Sequence, residues 1–137
     1  MKTILHVEDD VLIAHIYGQA LTRAGFAVEV AADGLIASKM LFKKRPDLVV
    51  LDLVMPKLAG ADVIKFIRST PALKTVPIII LSDASLADLG IEAVPLGAER
   101  IFLKSQSSPA RLIKAIHEIL GGPESENLSI RPPPVSR

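Results

Sequence analysis

Asp47-Leu48-Val49-Val50-Leu51-Asp52-Leu53-Val54-Met55-Pro56 is a nearly unbroken apolar run with a carboxylate near its far end, closed by a proline. A strand buried on both faces of a parallel sheet has this composition. An ionised carboxylate inside such a run would lose its hydration without compensation, so Asp52 is expected where the strand emerges at the sheet edge. In open α/β sheets that edge is where ligands bind.

The rest of the chain supplies the sheet. Thr3–Val7 is a short, mostly apolar, β-branched-rich run that gives way to Glu8, Asp9 and Asp10, which predicts a strand followed by an acidic loop. From Val11 to Ala24, Leu12, Ile13, Ile16, Ala20, Leu21 and Ala24 recur at threes and fours, with Asp10 placed to cap the start and Gly25 the end. Residues 26–31 predict a second strand. Asp33-Gly34 then turns into a helix over 35–44 that is expected to bury Ile36, Met40 and Leu41. Beyond Pro56, residues 61–68 predict a third helix carrying Val63, Ile64 and Ile67 on one face.

Residues 76–81 form the most apolar run of the chain and predict a buried strand ending at Ser82-Asp83, and Ile101-Phe102-Leu103 predicts another ending at Lys104. Between them a fourth helix is expected over 85–97, short or irregular because Gly90 and Pro95 weaken it. A fifth helix begins at Pro109 behind the cap Ser108, turns Leu112, Ile113, Ile116 and Leu120 inward, and stops at Gly121-Gly122. Five strands alternating with five helices predict a doubly wound α/β domain with a five-stranded parallel sheet and right-handed crossovers. The domain is expected to span residues 1–122. Residues 123–137, with Pro132-Pro133-Pro134, read as a disordered tail or linker.

Composition bounds the function. A chain of 137 residues, half of them hydrophobic, has room for one domain with a substantial core. Sixteen basic against fifteen acidic residues leave a net charge of +1, which gives no electrostatic ground for binding nucleic acid or an anionic membrane directly. There is no cysteine, and no apolar run approaches the roughly 20 residues of a membrane span. The acidic opening does not suit a signal peptide, so a soluble, cytoplasmic protein is expected.

Four strands end on a polar group: Glu8 and Asp9, Asp52, Ser82, and Lys104. A parallel sheet brings these ends to one edge, where three carboxylates held together demand a cation. Oxygen-only donors favour a hard ion, and Mg²⁺ commonly combines one or two carboxylates with phosphate oxygens and water. In such a cleft Asp52 could attack phosphorus to give an acyl phosphate, with Lys104 and Ser82 contacting the transferred oxygens. A turnover phosphatase fits less well, because Val54 stands where such enzymes carry a second acid. His6, His15 and His117 are scattered over a strand and two helices and read as structural or surface residues.

These segments together resemble the response-regulator receiver domain of two-component signalling, a CheY-like family. The likeness rests on residues 4–10, 46–56, 77–82 and 97–104. It implies the strand order 2-1-3-4-5, flavodoxin-like. It further implies that Asp52 is the phosphoacceptor, that Glu8, Asp9, Asp52 and the Val54 carbonyl hold Mg²⁺, that Ser82 is the switch hydroxyl, and that Lys104 is the phosphoryl's cationic partner. The donor would be a histidine kinase or histidine phosphotransfer protein. The chain would then be a signalling phosphoacceptor, with self-catalysed transfer and hydrolysis only. The alternative is a phosphorylation-independent interaction module with the same fold.

Four positions depart from the family pattern. Asp83 replaces a small residue; turned into the cleft it would oppose a neighbouring carboxylate by about 3 kcal/mol at about 5 Å and an effective dielectric of about 20, and turned outward it would cap the next helix. Ile101 replaces the aromatic switch residue, with Phe102 one position off and so on the opposite face. Output by aromatic rotation is therefore not expected, and a homodimer through the fourth helix, the Ile101 strand and the fifth helix is. Ser105 replaces the proline after the lysine, so a trans Lys104–Ser105 bond is expected. Ala59 replaces the acid before Gly60.

Overall fold

The computed structural model of the chain describes residues 1–54, 59–83 and 97–121. Five parallel strands, β1 (Thr3–Val7), β2 (Ala27–Ala31), β3 (Leu48–Leu51), β4 (Ile78–Ser82) and β5 (Arg100–Leu103), form one sheet in the order β2-β1-β3-β4-β5. The described helices are α1 (Val11–Arg23), α2 (Gly34–Lys43), α3 (Gly60–Ser69) and α4 (Pro109–Leu120), with a 3-10 turn at Lys104–Gln106. The flavodoxin-like order and the five strands are those expected. The helix anticipated over 85–97 falls almost wholly outside the described residues, as does the tail from 122 onward.

Strand alternation divides the core in two. Leu5, Val7, Val49, Leu51, Ile78 and Ile80 face Ala37 and Leu41 of α2 and Val63, Ile64 and Ile67 of α3. Ile4, Leu48, Val50, Ile79 and Leu81 face Tyr17 and Leu21 of α1 and Leu112, Ala115 and Ile116 of α4. β3 and β4 are buried on both faces, which is why their sequences are continuous apolar runs.

The caps follow the sequence. Asp10, Asp33 and Ser108 each accept a bond from the amide three residues on, at 3.1, 2.8 and 3.2 Å. Each satisfies one of the amides left without a partner in a first helical turn. Gly25, at φ 99°, closes α1. Arg68 ties the far end of α3 to the segments that lead into β4 and β5: its guanidinium donates to the carbonyls of Lys74, Val76 and Gly97 at 2.9, 2.7 and 2.6 Å. The Glu99 carboxylate 3.5 Å away in turn accepts from the Ile78 amide.

Two inward faces differ from expectation. α1 buries Ala14, Tyr17 and Leu21, and leaves Leu12 and Ile16 exposed. α2 buries Gly34, Ala37 and Leu41 with Met40 partly covered, while Ile36 is exposed. In each helix a small residue, Ala14 or Ala37, lets the backbone approach the sheet, and that close approach sets the helix rotation instead of the most apolar stripe.

Candidate functional site

The register brings the strand ends level. Val7 pairs with Leu51 and Leu51 with Ile80, while Ser82 pairs with Leu103. Glu8, Asp52, Ser82 and Lys104 therefore meet at one sheet edge. The chain leaving β3 is held there by two bonds: the Asp52 amide donates to the Val7 carbonyl at 3.1 Å, and the Gly60 amide to the Leu53 carbonyl at 3.2 Å.

Asp52 is 4% exposed, and its carboxylate is fully engaged. Oδ1 accepts from the Ser82 hydroxyl and from the Val54 amide, both at 3.0 Å. Oδ2 accepts from Lys104 Nζ at 2.9 Å. Lys104 also bonds Glu8 Oε2 at 2.9 Å, and that oxygen takes a second bond from the Asp10 amide at 3.0 Å. Glu8 Oε1 lies 2.8 Å from Lys104 Nζ, yet the atom is buried and receives no directional hydrogen bond.

The charges are unbalanced. Oxygens of Glu8, Asp9 and Asp52 lie within 4.8 Å of one another, with Asp9 at the solvent side, and the ammonium of Lys104 is bonded to two of the three carboxylates. Burial raises the pKa of Glu8 above its ordinary 4.5, an effect that the bonds from Lys104 and the Asp10 amide only partly offset. Burial alone would lower that of Lys104, but its bonds and charge interactions with Glu8 and Asp52 outweigh this and hold it above 10.5. A carboxylate cluster with an undirected buried oxygen suits a hard divalent cation, which takes oxygen ligands.

Several expectations can be placed. Glu8, Asp9, Asp52, Ser82 and Lys104 come together, and Val54 touches the site through its amide. Asp83 is exposed and does not belong to the carboxylate group: it lies one residue past Ser82, beyond the end of β4. Ile101 is 37% exposed, and Phe102 packs into the opposite core layer, as its one-residue offset requires. The Lys104–Ser105 bond is trans.

Two contributors were not identified from sequence. Gly60 passes so close to β3 that a Cβ there would lie 2.6 Å from Leu53 Cα and 3.0 Å from the Asp52 carbonyl carbon. The sequence around it gives no sign of this role, because nothing local announces a close approach of distant backbone. His6, read as structural, is fully buried on the same β1 face as Glu8, edge-on to Tyr17 with ring centroids 6.1 Å apart. Burial, with Lys104 nearby, lowers its pKa to about 4, so its imidazole is neutral beneath the charged cluster.

An open parallel sheet with acids after its first and third strands, a hydroxyl at the end of the fourth and a lysine after the fifth defines a receiver-type signalling domain. Residues 4–117 match the family model of the response regulator receiver domain, and the chain belongs to that family. Among curated relatives, a probable transcriptional regulatory protein, SilR of Salmonella typhimurium, is 34% identical over 101 residues, 74% of this chain and 43% of that protein. The chain thus spans less than half the length of this relative. The solved structure of the chemotaxis response regulator CheY4 of Vibrio cholerae is 30% identical with TM-score 0.79, covering 88% of this chain and 99% of that one. The receiver domain of a Pseudomonas aeruginosa sensor histidine kinase, solved with a magnesium ion coordinated in its active-site cleft, is 26% identical with TM-score 0.80, covering 88% and 98%. No described helix is long and apolar enough to cross a membrane.

Proposed function

We propose that the chain is a phosphorylation switch in which Asp52 accepts a phosphoryl group from the phosphohistidine of a histidine kinase or histidine phosphotransfer protein. The observation that carries this reading is the double grip on Asp52, Ser82 at one carboxylate oxygen and Lys104 at the other, beside two further acids. A carboxylate oxygen attacks phosphorus, the P–O bond forms as the P–N bond of the donor breaks, and the bonding pair returns to the donor imidazole. Lys104 and Ser82 then bond the phosphoryl oxygens they reach from their present positions. Hydrolysis by water regenerates the Asp52 carboxylate and releases inorganic phosphate.

Asp9, Asp52 and Glu8, with the Val54 carbonyl, would hold Mg²⁺. The ion would neutralise charge on the transferring group. Residues 1–122 act as the receiver unit and 123–137 as a tail or linker. Transfer within a neutral-pH cell interior suits this chemistry, and the cytoplasm is where we place it.

Donor docking has a physical basis beside the site. Val11 and Leu12, 83% and 65% exposed, follow directly on the acidic loop, with Ile16 one turn further along α1. Contiguous exposed apolar side chains rimmed by polar groups mark interaction surfaces, and this one adjoins the carboxylate that reacts. Self-association through Ile101 and the neighbouring helices remains part of the proposal, and sedimentation with and without a phosphoryl mimic tests it. The function itself is tested by incubating the full chain with a small phosphodonor and Mg²⁺ and measuring intact mass. One added phosphoryl group is expected; an unchanged mass would favour the phosphorylation-independent module.

A further inference from the structure

The outer surface of α2 combines cationic and exposed apolar side chains. Residues 34–46 carry Lys39, Lys43, Lys44 and Arg45 and no acid, in a chain whose net charge is only +1. Arg45 is occupied, donating to the Ala72 carbonyl at 2.8 Å and facing the Thr75 hydroxyl at 3.4 Å. The three lysines are exposed, and no carboxylate among the described residues pairs with them. Phe42 is 86% exposed beside them. It stands over a cavity of about 320 Å³ walled by Lys39, Lys43 and, from α3, the half-buried Phe66. Leu35, Lys39 and Phe42 lie on one stripe of the helix, at i, i+4 and i+7. An apolar slot with a cationic rim fits an acidic segment carrying a large apolar anchor.

We propose that this face is the docking site for the chain's own C-terminal residues 124–130. That segment reads Glu-Ser-Glu-Asn-Leu-Ser-Ile: two carboxylates, no base, then Leu128 and Ile130. Reach supports the assignment. Gly121, from which the segment departs, lines a cavity of about 410 Å³ together with Asp47. Asp47 lies only four residues beyond Lys43, so the path from Gly121 to Lys43 is about 10 Å across the cavity plus at most ~14 Å of chain. Seven extended residues from Gly121 to Leu128 cover ~23–25 Å. On that path Leu128 comes level with Lys43 and Ile130, two residues on, reaches Phe42 and Phe66, while Glu126 lies nearest Lys44. A second copy is a poorer occupant, because a symmetric contact would set lysine against lysine. A short tether supplies an effective concentration on the order of millimolar, so a contact with a Kd on the order of millimolar is about half populated.

The absence of cysteine makes a clean test in the full chain. A nitroxide attached to Ser129→Cys is expected to broaden the amide resonances of Ser38, Lys39, Phe42, Lys43 and Phe66, lowering their intensities by well over half relative to the reduced label, since a contact about half populated in fast exchange keeps about half of the paramagnetic relaxation rate. Adding Glu124→Lys and Glu126→Lys should restore the intensities, and combining these with Lys39→Glu and Lys43→Glu should broaden them again. High salt provides the same loss without altering the fold. Broadening confined to the neighbourhood of Gly121, or indifferent to charge reversal and salt, would overturn the proposal. Equal broadening when the nitroxide sits on unlabelled chains mixed with isotope-labelled, cysteine-free chains would assign the face to a second copy and overturn it too.

Discussion

Gly60 offers a test in which two physical effects predict opposite signs. As the first residue of α3 it has ordinary helical backbone, with no positive φ, so helix propensity alone predicts that Gly60→Ala stabilises the protein by up to ~1 kcal/mol. Packing predicts the reverse. The added methyl would meet the carbonyl oxygen of Asp52, Leu53 Cα at 2.6 Å and the Asp52 carbonyl carbon at 3.0 Å, all of them backbone atoms that cannot rotate away. Relief requires α3 and the end of β3 to part by several tenths of an ångström, and forced overpacking of this kind costs about 1–3 kcal/mol. The net expectation is a loss of roughly 1–2 kcal/mol, read in urea as a midpoint lower by about 0.5–1 M at unchanged slope. The same displacement moves Asp52 relative to Ser82 and Lys104, so phosphorylation by a small donor should slow in parallel. A midpoint equal to or above that of the parent, with an unchanged labelling rate, would refute the close-approach argument.

Leu12→Asp places a charge on the exposed shoulder of α1 and should reduce transfer from a phosphohistidine donor protein by about tenfold, the effect of losing one interface contact worth ~1.4 kcal/mol. Labelling by a small phosphodonor should be unaffected, and an equal loss with both donors would contradict docking there. Because Asp83 is exposed and stands apart from the three acids, Asp83→Ala should change the small-donor rate by less than about twofold; a large acceleration would show that its charge reaches the cleft. Glu8, whose folded pKa is raised above 4.5, binds a proton more readily folded than unfolded, so its contribution to stability is complete below pH 4.5 and declines as pH rises through its folded value. Mg²⁺ requires the carboxylate, so thermal unfolding should show Mg²⁺ stabilisation that fades as pH falls through that interval. Mg²⁺ stabilisation independent of pH there would count against Glu8 as a participant.

The sheet was legible because a parallel strand buried on two faces leaves little choice: Leu48–Leu51 and Ile78–Leu81 are apolar throughout, and the polar residue at each end marks the edge. The site followed from the same logic, since parallel order alone brings Glu8, Asp52, Ser82 and Lys104 level. Helix faces were less legible. Leu12, Ile16 and Ile36 are more apolar than Ala14 and Ala37, yet the alanines face inward because small side chains permit the helices to sit close to the sheet. That is a property of the packed layers and is not written in the helix period. Gly60 illustrates a second limit. Its value lies in the missing methyl, and the atoms that forbid a methyl belong to residues 52 and 53. Asp83 illustrates a third: the alternatives of cleft and solvent were equally open until β4 was seen to end at Ser82 with its hydroxyl on Asp52.

Chemical mapping of the phosphorylated residue tests the central claim most directly. The full chain, labelled with a small phosphodonor and Mg²⁺, is treated with borohydride, which reduces an acyl phosphate to the corresponding alcohol, and the modified peptide is sequenced by mass spectrometry. The account predicts a single reduced side chain at position 52, no incorporation in Asp52→Asn, and weak labelling when Mg²⁺ is chelated. Modification at Asp9, Asp83 or any other residue, or full labelling of Asp52→Asn, would contradict it.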